Sequence, residues 1–259
     1  MDQYERRRFL LAALLKENPV LRDETVPEDP ERQKILLRGL LNVRRPAPAD
    51  AEFLRVQDAY LREETAGKGV TRAEDPDETE EGICLWKGDI TALSCDAIVN
   101  AANAGLTGCY IPNHKCVDNC IHTFAGLELR LECAEIMERQ KVPEQAGRAK
   151  ITKAYNLPCR YVLHTVGPVV SGRPSEKDRA CLASCYRSCL RLAAANGLSS
   201  VAFCCISTGE FHFPNGDAAE IAVNTVRECS GKGESVKRVI FTVFKDADLE
   251  IYRGILGRT

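Results

Sequence analysis

VNAANAGLTGCYIPNHKCVDNCIH, the stretch from Val99 to His122, decides how the rest of the chain is interpreted. Hydrophobic residues leading into it predict a strand, and Val117 to Phe124 predict a helix. The loop between them carries Cys109, His114 and Cys116 in a Cys-x4-His-x-Cys pattern. Thiolate and neutral imidazole are the usual ligands of Zn²⁺, and three protein ligands leave a fourth position for water or substrate. The loop therefore predicts a metal site, although chance proximity is the alternative in a chain with 13 cysteines.

Three segments around this loop resemble the signature of the macrodomain family. They are Gly88 to Thr91 (GDIT), Ala97 to Asn103 (AIVNAAN) and Val117 to His122 (VDNCIH). Macrodomains of the MacroD type have glycines before the Val-Asp pair, and Cys109 to Cys116 replaces those glycines here. The replacement is similar to the zinc-dependent macrodomains, microbial proteins that hydrolyse ADP-ribose from modified proteins. The resemblance extends from about Ile83 to the C-terminus and implies one zinc ion per chain as the cofactor.

Length and composition narrow the possible classes of protein. The 259 residues, 44% of them hydrophobic, allow one large domain or a domain with an extension. A net charge of −2 argues against a nucleic-acid partner, and no apolar run reaches the ~18 residues that cross a membrane. Arg6 to Arg8 precede a short apolar run, Phe9 to Leu15, without a cleavage site. We therefore expect no export signal, reduced cysteines and a cytoplasmic location.

The first 72 residues predict a helical extension. Apolar residues recur at helical spacing in three segments, Tyr4–Lys16, Glu31–Val43 and Ala49–Glu63, with Asp29 and Asp50 as capping acids. The leucines at 36, 37, 40 and 41 form a stripe that we expect to pack against the following domain; an independent helical hairpin is the alternative. Residues 73–82 predict an acidic linker, because six of the eight residues from 74 to 81 are acids.

From residue 83 to 259 strand-like and helix-like segments alternate. This pattern predicts a three-layer α/β/α domain with a mostly parallel, mixed central sheet. The predicted strands are Ile83–Lys87, Ala97–Asn100, Lys150–Tyr155, Tyr161–Val166, Val201–Ile206 and Val239–Phe244, and the predicted helices are Asp118–Glu138, Ser175–Asn196, Gly216–Cys229 and Ala247–Leu256. Ligands bind outside the carboxyl ends of such strands. The segments Asn100–Asn103, His164–Pro168 and Ser207–Phe213 should therefore gather at one rim.

The loop Ser207 to Pro214 (STGEFHFP) is the second segment with a predicted role in the site. Its small residues let backbone N–H groups approach an anion, and the helix that follows adds its dipole. The loop can thus hold a diphosphate without a lysine; a simple strand-to-helix turn is the alternative. It resembles the macrodomain phosphate loop, in which Phe211 would line the ribose site and many relatives have glycine where His212 stands. The ligand contacts implied here are Ser207, Thr208, Gly209, Glu210 and Phe211.

The resemblance also implies roles for individual polar residues. Asp89 would accept a hydrogen bond from the adenine amino group, with Ile90 beside it, although an aspartate before Ile-Thr is also a common turn or cap residue. Asn103 is placed like the asparagine that holds a hydroxyl of the distal ribose. Asp118 matches the aspartate that orients water or substrate, with a plain N-cap as the alternative. Asn103 and Asp118 are thus the predicted catalytic residues.

The remaining cysteines and histidines are predicted to be structural. Cys181, Cys185 and Cys189 recur every four residues on one helix face, as core cysteines do. His122 and His164 lie within helix and strand patterns and are interpreted as hydrogen-bonded core histidines. His122 is kept as a second-choice zinc ligand because it is close to the loop in sequence.

Three hypotheses for function follow. The leading one is a zinc-dependent hydrolase that removes mono-ADP-ribose from modified proteins, chiefly from aspartate and glutamate esters. The others are an ADP-ribose reader with a structural zinc, and a hydrolase of a free metabolite such as O-acetyl-ADP-ribose. Two thiolates and Zn²⁺ sum to no net charge, which favours zinc orienting the distal ribose while Asp118 assists the water. The expected partners are mono-ADP-ribosylated protein and ADP-ribose, with neither nucleic acid nor membrane.

Overall fold

The structure, a computed structural model, describes residues 1–18, 25–229 and 235–257. It begins with three helices, α1 (Gln3–Glu17), α2 (Pro30–Val43) and α3 (Ala51–Lys68). The side chains of Asp2, Asp29 and Asp50 cap them by accepting backbone N–H groups of the first turns. The three predicted helices and the two predicted caps are confirmed. Within the described ranges no helix combines the length and apolarity needed to cross a membrane.

In the described residues after α3 there are nine strands, seven of which form one mixed sheet. The strands are β1 (Thr71–Arg72), β2 (Glu78–Glu80), β3 (Ile83–Lys87), β4 (Leu93–Ser94), β5 (Ala97–Ala101), β6 (Ala149–Lys153), β7 (Tyr161–Thr165), β8 (Ser200–Phe203) and β9 (Arg238–Val243). The order in the sheet is β2-β3-β9-β8-β5-β7-β6, with β2 and β6 antiparallel at its edges, while β1 and β4 pair separately. Consecutive buried residues in β8 show that both faces of the sheet are covered. The predicted α/β/α macrodomain fold is confirmed.

Helices α4 (Val117–Ala125), α5 (Leu127–Gln140), α6 (Glu176–Ala195), α7 (Asn215–Cys229) and α8 (Asp246–Leu256) flank this sheet. The prediction of one continuous helix over Asp118–Glu138 is wrong, because Gly126 separates α4 from α5. Gly126 has a φ of +101°, which side chains rarely adopt, and a Cβ there would lie 2.7 Å from Nε2 of Gln57 in α3. The break is therefore one of the points at which the helical extension meets the domain.

The helical extension has a hydrophobic core of its own. Leu37, Leu40 and Leu41 are buried among leucines of α1 and Phe53 of α3, and the main domain adds Leu127 to this cluster. The leucine stripe thus packs mostly within the extension rather than against the domain, which differs from the expectation. Polar contacts also join the two units, among them the bond from Asn42 to Thr123 and the bond from the Leu127 amide to Gln57.

The segment predicted as an acidic linker is held against the domain. Glu78–Glu80 pairs antiparallel with β3, and Arg238 of β9 bonds the carboxylate of Glu78 and the carbonyl oxygens of Ala73 and Pro76. Glu78 thus pairs with Arg238, and Glu80 pairs with Arg227 of the helix Asn215–Cys229, contacts that the composition of the segment does not reveal. The boundaries 1–72, 73–82 and 83–259 remain predictions.

Strands β7, β5, β8, β9 and β3 are parallel, so their carboxyl ends share one edge of the sheet. The segments after β5 and β7 are bonded there by the Ala102 amide, which donates to Thr165 at 2.9 Å. The segments after β7 and β8 meet where the Val170 amide donates to Phe211 at 2.8 Å. The three segments predicted to gather at one rim do so.

Candidate functional site

Cys109, His114 and Cys116 come together in the loop between β5 and α4. Their ligand atoms all lie within 4.8 Å of one another, and all three residues are half-buried. The loop turns at Asn113, where φ is +57°, and ends at Cys116. Sγ of Cys116 accepts a hydrogen bond from the backbone amide of Asn119 and so caps α4. The fold therefore aims two thiols and one imidazole at a single point.

The geometry of this cluster fits a zinc ion. Sγ of Cys109 lies 3.5 Å from Nδ1 of His114, and ligand bonds of tetrahedral Zn–S and Zn–N length place the two atoms about 3.6 Å apart. Burial, with the adjacent Cys109, raises the pKa of the Cys116 thiol to about 12. A cation at this point would be needed to hold that thiol as a thiolate.

Glu210 faces the same imidazole from the opposite loop. Its Oε1 lies 3.5 Å from Nε2 of His114, the ring nitrogen that points away from Cys109. Histidines that bind metals commonly direct their other nitrogen at a carboxylate, which fixes the tautomer and the ring. The resemblance implied that Glu210 contacts ADP-ribose. The structure places Glu210 beside His114, a predicted zinc-binding residue.

Asp118, on the first turn of α4, is buried next to this cluster. It accepts hydrogen bonds from the side-chain amides of Asn100 at 2.8 Å and Asn103 at 3.3 Å. Burial raises the pKa of its carboxyl group to about 6. The alternative that Asp118 is a simple N-cap is wrong, since Cys116 occupies that position. The two predicted catalytic residues are thus in direct contact.

Asp89 stands at the end of β3, three strands away from β5. At about 4.8 Å per strand the separation is about 14 Å along the same edge, a span suited to an extended dinucleotide-like ligand. Its carboxylate caps the 3-10 turn Ile90–Ala92 and accepts a bond from Lys68 of α3 at 3.0 Å. Burial alone would raise its pKa, but the bonds from Thr91 and Lys68 lower it. The cap role, which was the alternative to the adenine contact, is present in the structure, and the adenine contact stays a prediction. The charged carboxylate is 38% exposed beside the buried Ile90.

The loop after β8 presents backbone amides. Ser207 and His212 both have φ near +60°, and the His212 and Phe213 amides bond back to Gly209 and Ser207 at 3.0 and 2.9 Å. The amides of residues 209–211 donate to no group in the part of the chain that the structure describes. Such a row of free N–H groups before a helix suits an anion. His212 thus has the left-handed backbone conformation that favours glycine.

His122 and His164 belong to a separate, buried group with Cys133. His164 bonds Thr152 at 2.9 Å and Asn100 at 3.2 Å, and burial lowers its pKa to about 3. Burial likewise lowers the pKa of His122 well below its usual range. Both are core histidines, and His164 is hydrogen-bonded, as predicted. The prediction of a hydrogen-bonded ring is wrong for His122, because neither of its buried ring nitrogens has a hydrogen-bond partner among the described residues. His122 groups with Cys133 and His164 rather than with the three clustered residues of the Cys109–Cys116 loop.

Sequence reasoning missed three residues of the helical extension, Arg38, Asn42 and Lys68. Arg38 and Asn42 bond the Cys109–Cys116 loop, and Lys68 bonds Asp89. Their partners lie 76, 71 and 21 residues further along the chain. No local pattern marks such residues, because only the packing of the two units brings them to the site.

Comparison with known proteins assigns this arrangement to a family. The family model for the Macro domain matches residues 99–222, which contain both loops of the site. The chain is 52% identical to a protein-ADP-ribose hydrolase of Treponema medium, with 99% of this chain and all of the relative aligned. The chain belongs to the macrodomain family. A protein-ADP-ribose hydrolase of Staphylococcus aureus is 49% identical, covering 86% of this macrodomain protein and 84% of the relative.

A solved structure gives the same assignment. The Trypanosoma brucei macrodomain in complex with ADP-ribose superposes on this macrodomain with a TM-score of 0.65 at 31% identity. The match covers 89% of this chain and 97% of that one.

Proposed function

We propose that this macrodomain is a zinc-dependent protein-ADP-ribose hydrolase that removes mono-ADP-ribose from aspartate and glutamate esters. One observation carries the proposal: a Cys-His-Cys cluster with zinc-like spacing lies beside the Asn103–Asp118 pair at the rim. Two relatives aligned over most of their length are protein-ADP-ribose hydrolases. The solved macrodomain with ADP-ribose supports the ligand class.

Ligand binding would use groups that are spaced along the carboxyl edge of the sheet. The exposed carboxylate of Asp89 accepts a hydrogen bond from the adenine amino group. The free backbone amides of residues 209–211 donate hydrogen bonds to the diphosphate oxygens. Phe211, packed at the edge of the core, covers the adjoining ribose. Asn103 then holds a hydroxyl of the distal ribose with the amide that now bonds Asp118 and Gly108.

The chemical step would take place at the distal ribose. A zinc ion held by Cys109, His114 and Cys116 would supply Lewis-acid polarisation of an oxygen atom of the ribose or its ester. Asp118 is fixed by the amides of Asn100 and Asn103, so its carboxylate oxygens can orient a water molecule and accept its proton. Its raised pKa, about 6, suits a group that both takes and returns a proton near neutral pH.

The experiment is release of ADP-ribose from an ester-linked, mono-ADP-ribosylated protein by zinc-loaded enzyme, with and without a chelator. We expect turnover that disappears with the metal and returns when zinc is added. Binding without release would instead identify an ADP-ribose reader with a structural zinc. Turnover of O-acetyl-ADP-ribose alone, with no release from protein, would identify a hydrolase of the free metabolite.

A further inference from the structure

The Cys109–Cys116 loop is held by the helical extension as well as by its own domain. Within the domain, the side-chain amide of Asn119 donates to the carbonyl oxygens of Cys109 and Ile111 at 3.3 and 3.1 Å. Ile111 is 59% exposed, so the outer part of the loop has little apolar packing. A loop with three ligands and few internal bonds needs external support to keep its ligands aligned.

Asn42, near the end of α2, supplies part of that support. Its side chain is fully buried; Oδ1 accepts the backbone amide of Asn113 at 2.9 Å, and Nδ2 donates to the hydroxyl of Thr123 at 2.8 Å. Asn113 is the left-handed residue that immediately precedes His114. One side chain of the extension thus fixes the turn of the loop to helix α4.

Arg38, one helical turn earlier, reaches the next residue of the loop. Its guanidinium donates to the carbonyl oxygen of His114 at 2.9 Å and to Oδ1 of Asn119 at 3.1 Å. Gly39 lets the helix come this close, since a Cβ there would lie 3.1 Å from the side chain of Asn113. The bond to His114 holds the backbone of a predicted metal ligand directly.

Tyr110, next to Cys109, is held at the other end of the loop. The guanidinium groups of Arg45 and Arg130 both stack on its ring, at 5.0 and 4.6 Å from the ring centroid. Arg130 also donates to the backbone carbonyl oxygens at the end of α2, those of Leu41, Asn42 and Arg44. Both ends of the loop are therefore tied to the same short region of the extension.

We propose that Arg38 and Asn42 are positioning residues of the metal site and that the helical extension serves to brace the Cys109–Cys116 loop. The proposal rests on the proposed zinc site for its effect on metal affinity, and on the hydrogen bonds of Arg38 and Asn42 for the brace itself. Contacts behind metal ligands typically contribute about 10–100-fold to metal affinity.

The test compares Arg38→Met with Arg7→Met in the full-length chain. Arg7 is a buried arginine of the same extension that donates to Oε1 of Gln33 at 3.0 Å, within the helical bundle. Competition with a chromophoric chelator gives the zinc dissociation constant of each protein. We expect Arg38→Met to bind zinc about tenfold more weakly, or worse, and Arg7→Met to bind it as wild type does, whatever its melting temperature. Asn42→Ala should resemble Arg38→Met, if it folds.

Amide hydrogen exchange of the metal-free proteins separates the brace from the metal. Exchange across residues 109–116 should be faster in Arg38→Met than in wild type or Arg7→Met. Unchanged exchange and unchanged zinc affinity in Arg38→Met would overturn the proposal while leaving the proposed function intact. Equal losses in Arg7→Met would also overturn it, because they would show a general loss of stability. If wild type binds no zinc but exchange across residues 109–116 is still faster in Arg38→Met than in wild type, the zinc site is refuted and the brace is supported.

Discussion

Oε1 of Glu210 lies 3.5 Å from Nε2 of His114, so the loop after β8 and the loop after β5 meet at one imidazole. Nδ1 of the same ring faces Sγ of Cys109 at 3.5 Å. The imidazole thus has one nitrogen toward the predicted metal position and the other toward a carboxylate. Because Glu210 also belongs to the predicted phosphate loop, the predicted diphosphate site and the predicted metal site would share this residue.

Glu210→Gln tests how much that carboxylate contributes. The side chain of Glu210 is 72% exposed, and exposed ion pairs contribute at most about 1 kcal/mol, or about fivefold. We expect zinc affinity to fall by no more than about fivefold, well below the loss caused by removal of a ligand. Chelator competition on Glu210→Gln measures it, with exposed Glu220→Gln in α7 as the control. A loss of tenfold or more would contradict this expectation and would show that the carboxylate supports His114 more strongly than an exposed ion pair does.

The cluster itself predicts one tightly bound zinc ion per chain. Protein purified without chelator should contain stoichiometric zinc by elemental analysis, and Cys109→Ser combined with Cys116→Ser should remove it, because both thiolates are lost. Cys181→Ser is a matched control, being a half-buried cysteine on α6, outside the cluster. Zinc retained at full occupancy in the double variant would disprove the ligand assignment.

Hydrophobic periodicity predicted the three-layer α/β/α arrangement and most of its elements, because it reports on the faces that strands and helices bury. The macrodomain fold itself was implied by the resemblance of three short segments to the family. The sequence pattern also placed the segments Asn100–Asn103, His164–Pro168 and Ser207–Phe213 at one rim, since strand-end loops of a parallel sheet meet at one edge. Asn103 and Asp118 were predicted from the family resemblance, and the structure shows them in contact. The sequence pattern missed the helix break at Gly126, where a positive φ and close contact with Gln57 override a continuous helical pattern. It could not supply Arg38 or Asn42, whose roles depend on how the extension packs against the domain.

Asp89→Ala should weaken ADP-ribose binding through loss of the adenine contact. A hydrogen bond to a carboxylate contributes on the order of 1–3 kcal/mol, so affinity should fall by about 5- to 150-fold. Calorimetry with ADP-ribose measures the change, and Asp77→Ala, an exposed acid of the 73–82 segment, is the control. Equal affinity of Asp89→Ala and wild type would show that the adenine assignment is wrong.

Asp96 predicts a pH-dependent contribution to stability, away from the site. Asp96 precedes β5 and Ser199 precedes β8. The carboxylate of Asp96 accepts hydrogen bonds from the backbone amide and the hydroxyl of Ser199, at 2.8 and 2.7 Å, and so links the starts of the two strands. Burial opposes its charge, but these bonds and Arg160 hold its pKa well below the usual range. Because the folded pKa is the lower one, the stabilisation is complete above about pH 4 and is lost as pH falls further.

Asp96→Ala should therefore lower the free energy of unfolding by about 2–4 kcal/mol at neutral pH. Urea unfolding at a series of pH values checks this, and the difference from wild type should shrink toward pH of about 2–3. Asp246→Ala, which removes an exposed ion pair with Lys87, should change stability by less than about 1 kcal/mol. A difference that stays constant with pH would show that Asp96 contributes packing rather than charge.

Cys116→Ala separates an enzyme from a reader. If zinc takes part in turnover, this variant should lose hydrolysis far more than ADP-ribose affinity, because Asp89 and the amides of residues 209–211 lie in other segments of the chain. The loss should appear as a fall in kcat larger than the change in Kd, as expected for an interaction used mainly in the transition state. Release assays on an ester-linked substrate and calorimetry with ADP-ribose give the two quantities.

The cysteine variant has one complication, since Cys116 also caps α4 through the Asn119 amide. Its loss can loosen the loop, so that binding and turnover fall together. Asp118→Ala resolves this, because Asp118 is not one of the three clustered residues and the variant should keep its zinc. Buried Asp118 bonds both Asn100 and Asn103, so its removal should abolish release while zinc content is unchanged. If wild-type, zinc-loaded protein binds an ester-linked substrate and releases no ADP-ribose, the hydrolase hypothesis is refuted and the protein is an ADP-ribose reader.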